Sequence, residues 1–165
     1  MIITFIKRFS CFWLLVFLQA FILNNIHFFG YATPFLYVYL ILIFNANMSR
    51  YSLLFWGFFL GLTVDIFSNT LGINAISTTL LAFVRPTLLK LFASRDSADD
   101  FSPGIRSMGL GPFMRYVSVA VLIHHTALIL LLTFSFTHPL TMLLKVVSSA
   151  ILTTLCVWGI DTAKK

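Results

Sequence analysis

Glutamate is missing from this 165-residue chain; its five acidic residues are all aspartates, set against eleven lysines and arginines. Charged residues make up only 10% of the chain, and a soluble domain of this size carries about a quarter. So few charges cannot cover a water-facing surface, which excludes an ordinary soluble enzyme or nucleic-acid-binding domain. The basic residues lie at the ends of apolar runs and form no patch, so no nucleic-acid partner is expected. There are only two cysteines, Cys11 and Cys156, each inside an apolar run; free thiols rather than a disulfide are expected there. Without glutamate, general acid–base work would rest on Asp65 or a single histidine, and no nucleophile arrangement stands out. Gly109-Leu110-Gly111 follows no strand and lacks the rest of a phosphate loop. The residues therefore point to a non-enzymatic protein without cofactor or metal.

What the chain has in abundance is hydrophobic sequence, at 59% of residues with 19 phenylalanines. Successive apolar runs of roughly 20 residues predict an all-α membrane protein whose solvent is the lipid bilayer. The first run begins with a charge-then-apolar order like a signal peptide, but no small-residue cleavage site follows, so it is expected to remain as a helix. Six spans are predicted in one domain, at about 9–29, 34–47, 51–68, 72–92, 114–136 and 139–160, with a polar loop at 93–113. The second is short for a crossing, at some 14 residues. Charge decides its status. With six crossings, Lys7, Arg8, Arg50, Lys90, Arg95, Arg106, Arg115, Lys164 and Lys165 share one side. With five, only Lys7 and Arg8 would be inside, against the positive-inside bias. Both termini are thus expected in the cytoplasm. The loop 93–113, with Asp96, Asp99 and Asp100 and several Gly and Pro, is expected to be mobile.

Chemistry concentrates in Gly57–Ala75. Gly57, Gly61 and Asp65 recur at i, i+4 and i+8, one helix face on which small residues admit a second helix. Asp65 sits near the outer end of its run and is expected, if it pairs with a cation, to pair with Lys145 at matching depth. The turn Asn69-Thr70-Leu71-Gly72 leads into the next helix, making an antiparallel hairpin whose second arm carries Asn74, Thr78 and Arg85 on one face. Arg85 lies about 10 Å from the inner end and is expected to snorkel to the headgroups; the alternative is a contact with carbonyls freed by Pro86. His124 and His125 point about 100° apart on a helix, so they do not chelate a metal together, and one is expected to face the bundle.

Gly61-Leu62-Thr63-Val64-Asp65, followed by a short turn and Leu71-Gly72-Ile73-Asn74-Ala75, resembles the G-L-x-x-D … L-G-x-x-A hairpin of the bacterial rod-shape-determining family MreD. Length and span order resemble that family across the whole chain, while the specific motif covers roughly fifteen residues. The abundant Phe, Arg85-Pro86 and the His pair resemble its Bacteroidetes members. The resemblance implies a non-catalytic, multi-pass inner-membrane protein of the cell-elongation machinery. Its partners would be an MreC-like membrane protein and, indirectly, MreB, a RodA-type glycosyltransferase and a penicillin-binding transpeptidase. Gly57, Gly61, Asp65, Gly72, Asn74, Arg85 and Lys145 are the candidate structural or partner-binding residues, and the Gly57/Gly61 face either docks a partner or packs its own span inside the bundle. The family's fold is also similar to the substrate-binding subunits of energy-coupling-factor transporters. That likeness supplies a rival expectation, a vitamin-type binding subunit with a pocket near Asp65, Asn69, Asn74 and Lys145.

Overall fold

A computed structural model describes residues 2–26, 32–93, 100–133 and 139–164. All regular structure among them is helical: α1 (Ile2–Phe17), continued by a π-helical turn (Leu18–Ile22) and a 3₁₀ turn (Leu23–Asn25), then α2 (Val38–Leu42), α3 (Arg50–Ser68), α4 (Ile73–Phe92), α5 (Ile105–Met108), α6 (Leu110–Thr133) and α7 (Pro139–Ala163). α4 lies between α3 and α6, α6 between α4 and α7, and α1 covers α3 and α2.

The surface is inverted relative to a water-soluble bundle. Phe55 and Ile66 are 59% and 71% exposed, whereas Gln19, His124, His125 and Thr153 are fully buried. Apolar side chains outside and polar ones inside is the arrangement a hydrocarbon solvent favours, since an unpaired polar group there has no water to bond. Four helices, α3, α4, α6 and α7, are long and apolar enough to cross a membrane, and a shorter apolar helix covers Phe9–Asn25. The chain is thus an apolar, all-helical protein suited to a bilayer.

Two of the expected boundaries need correction. Region 34–47 does not form a crossing-length helix: only Val38–Leu42 is α-helical. From Leu36 to Leu42 every side chain is buried, so the segment is a broken strap running through the core. Its backbone groups are paired partly within the segment and partly by other elements, which is what allows irregular chain at membrane depth. The described part of the polar loop, residues 100–113, is also more ordered than its composition implies. α6 starts at Leu110, α5 forms inside the loop, Met108 is buried, and Ala46 N–H donates to the Phe101 carbonyl at 2.8 Å. Asp96 and Asp99 lie outside the described residues. Cys11 and Cys156 are free thiols.

Candidate functional site

The α3–α4 hairpin is closed by its own sequence. Ser68 ends α3, and Asn69 takes the left-handed conformation (φ 53°), its N–H donating to the Asp65 carbonyl. Gly72 is left-handed too (φ 79°) and sits at the N-cap of α4, where its missing side chain can cap nothing. Asp65 supplies the cap from the neighbouring helix. Its Oδ1 accepts the Thr70 hydroxyl, the Asn74 N–H (3.0 Å) and the Asn74 side-chain amide (2.9 Å); its Oδ2 accepts the Ala75 N–H at 2.8 Å. Asn74 and Ala75 are the second and third residues of α4, whose free N–H groups and partial positive charge favour a carboxylate.

The same hairpin explains the glycines. A Cβ on Gly61 would lie 2.4 Å from the Asn74 carbonyl oxygen and 2.5 Å from Ala75 Cα; one on Gly57 would lie 2.9 Å from Ala82 Cβ. The small-residue face is therefore occupied by α4: of the two readings, packing inside the bundle holds and a docking surface for a partner is not there. The expected Asp65–Lys145 pair is also absent. Four donors already saturate the carboxylate, while Lys145 is exposed at the outside of α7.

Arg85 departs from the snorkelling expectation. It is 1% exposed, and its Nη2 donates to the carbonyls of Phe44 and Leu42 (3.3 Å to the latter), at the end of α2. Tyr116 adds its hydroxyl to the Leu42 carbonyl at 3.1 Å. A cation at carbonyls that a five-residue helix leaves unpaired is favourable both as hydrogen bond and as dipole partner. The freed carbonyls it serves belong to the strap, not to the Pro86 neighbourhood, and α4 continues through Pro86 to Phe92.

The other end of the strap is held by side chains as well. Gln19 Oε1 accepts the Leu36 N–H at 2.8 Å while its Nε2 donates to the Pro34 carbonyl at 3.0 Å. Ser149 Oγ accepts the Thr33 N–H and Thr153 Oγ1 accepts the Phe35 N–H, at 3.1 and 3.0 Å. Between these anchors runs a buried chain of bonds. Tyr37 donates to Asn74 Oδ1 (2.9 Å) and lies 3.0 Å from His124 Nε2. His124 Nδ1 is 3.5 Å from His125 Nδ1, and His125 Nε2 is 3.1 Å from Thr153 Oγ1.

Donor counting orders the hydrogen bonds along this row. Asn74 uses its amide hydrogens on Asp65 and Thr70, so Tyr37 must give its proton to Oδ1. His124 Nε2 must then carry hydrogen towards the Tyr37 oxygen. His125 Nδ1, 2.8 Å from the Val121 carbonyl, carries its own. Every donor from His124 to Asn74 thus points towards Asp65, and the Asn74 amide interrupts any hopping of a proton along the row. The arrangement fixes position. Both histidines face the bundle, against the expectation for one, because α6 is enclosed by α4, the strap and α7 together. Among the described residues no three His, Cys or Asp side chains gather as metal ligands.

Gln19, Tyr37, Ser149 and Thr153 are the members the sequence pattern did not single out as a site. Ser149 and Thr153 share one face of α7 four residues apart, and that spacing was their only signal. Fold and site together define a lipid-suited helical bundle with a hydrogen-bonded polar interior. Comparison with protein-family models, curated proteins and solved structures finds no match.

Proposed function

We propose that this chain is a non-catalytic subunit of a bacterial cell-elongation complex, of the MreD kind, acting on lateral peptidoglycan synthesis through an MreC-like partner. The observation that carries the reading is the hairpin: each residue of the G-L-x-x-D … L-G-x-x-A resemblance other than Leu62 and Leu71 has a physical task in closing α3 on α4. A motif that specifies a fold element is a stronger basis for kinship than shared hydrophobicity. In this reading the chain lies in the cytoplasmic membrane, crosses six times and keeps both termini inside. The direction of the strap supports that topology. It leaves the neighbourhood of Gln19, passes Tyr39, whose hydroxyl donates to Asp161 (2.8 Å) near the end of α7, and ends where the Ala46 N–H meets the Phe101 carbonyl. It therefore runs opposite to α1.

The transporter alternative needs Asp65, Asn69, Asn74 and Lys145 to line a ligand pocket. Asp65 and Asn74 spend their polar groups on each other and on α4, and Lys145 lies outside, so the geometry favours the first reading. The test is genetic and biochemical together. Depletion in the source bacterium is expected to round the cells, and the tagged chain is expected to co-purify an MreC-like protein. Rod-shaped depleted cells with no such partner would overturn the proposal.

A further inference from the structure

We propose that a pocket at the basic end of the bundle binds the phosphate of an anionic phospholipid headgroup. The pocket has a volume of about 400 Å³ and is walled by Ile43, Pro103, Ser102, Arg106, Asp161 and Lys164. It lies between the end of the strap, α5 and the end of α7. Asp161, the only carboxylate among its described lining residues, is turned into the protein: Oδ1 accepts the Tyr39 hydroxyl and Oδ2 accepts the Ile105 N–H at 2.7 Å. Arg106 and Lys164 are exposed and make no ion pair among the described residues, and the Lys164 ammonium rests 4.7 Å above the Tyr39 ring. Two cations without an ion pair among the described residues therefore face one cavity, whose described carboxylate is held inward by two hydrogen bonds.

Location selects the kind of anion. Arg50, Lys90, Arg106, Arg115 and Lys164 all stand where α3 and α6 begin and where α4 and α7 finish, the end at which headgroups of one leaflet meet the protein. Basic pockets at that level attract anionic lipids, and an arginine fork matches phosphate oxygens. Ile43, Pro103 and the lysine stem offer an apolar wall for the glycerol and the upper acyl chains. The inference depends on the chain being bilayer-embedded and is independent of its assignment to cell elongation.

The test is native mass spectrometry of the purified full-length chain in neutral detergent, titrated with phosphatidylglycerol, phosphatidylcholine and glycerol 3-phosphate. Phosphatidylglycerol is expected to be retained at concentrations at least about tenfold below those for phosphatidylcholine, and glycerol 3-phosphate is expected not to displace it at equal concentration. The double variant Arg106→Gln/Lys164→Gln is expected to lose at least about tenfold in phosphatidylglycerol binding, and Lys164→Gln alone about fivefold, while Lys90→Gln changes it less than twofold. Equal retention of the two lipids would overturn the proposal. So would an equal loss in Lys90→Gln, which would mean diffuse surface charge. Full displacement by glycerol 3-phosphate would overturn the lipid assignment in favour of a free phosphate site.

Discussion

The hairpin α3–α4 and the strap 32–46 solve the same problem by opposite means. Both must satisfy their backbone polar groups without water. The hairpin does so with two long helices and one carboxylate bridging the turn, so its partners lie within ten residues in sequence. The strap has a single short helix and borrows Gln19, Arg85, Tyr116, Ser149 and Thr153 from four other helical segments. The lesson is that a local element can be recognised from its own residues, whereas a borrowed one is defined by residues far away.

If that contrast is right, substitutions in the two regions will fail differently. The largest effect is expected for Gly61→Leu. Even its Cβ would overlap the Asn74 carbonyl and Ala75, so α3 and α4 must separate, at a cost of about 3 kcal/mol or more. Loss of monodisperse protein on size-exclusion chromatography checks it. Next comes Arg85→Met, which leaves the buried Phe44 carbonyl without this donor while Leu42 keeps Tyr116; about 2–3 kcal/mol of destabilisation is expected, confined to the strap. Asp65→Asn should cost about 2 kcal/mol and act on the hairpin instead. An amide nitrogen cannot accept, so either the Ala75 N–H or the Thr70 and Asn74 donors must go unpaired. Thermal unfolding in detergent ranks these two, and hydrogen exchange locates them. Thr153→Val keeps the shape but removes the acceptor of the Phe35 N–H, for about 1–2 kcal/mol and faster exchange of that amide. Lys145→Met is expected to change stability by less than about 0.5 kcal/mol, since its side chain is exposed and has no ion-pair partner among the described residues. A large loss there would reinstate the pairing with Asp65.

The same contrast explains what could be read from the sequence. Gly57, Gly61, Asp65 and the Asn69–Gly72 turn announced a tight antiparallel hairpin because each acts on near neighbours. Which helix they act on stayed open between a partner and the bundle itself, because nothing in sequence spacing says which helix fills the glycine face; α4 fills it. The span at 34–47 read as a short crossing, yet the chain there is irregular and held by Gln19 and α7 before a single helical turn and a half forms at Val38. The brevity of that span was the warning sign. Arg85 followed from the same oversight, because its depth near one membrane end suggested headgroups, while the carbonyls that capture it exist only if the strap is broken. The adjacent histidines were separated by the angle between them, and the enclosure of α6 on several sides made that angle irrelevant.

Hydrogen exchange of the chain in lipid nanodiscs, with and without Arg85→Met, tests the borrowed-partner account most directly. The account predicts that amides 39–44 of the wild type are protected to a degree comparable with α4, and that the substitution accelerates them while amides 74–80 keep their protection. Unchanged exchange at 39–44, or loss of protection spread evenly over the strap and the hairpin, would contradict it.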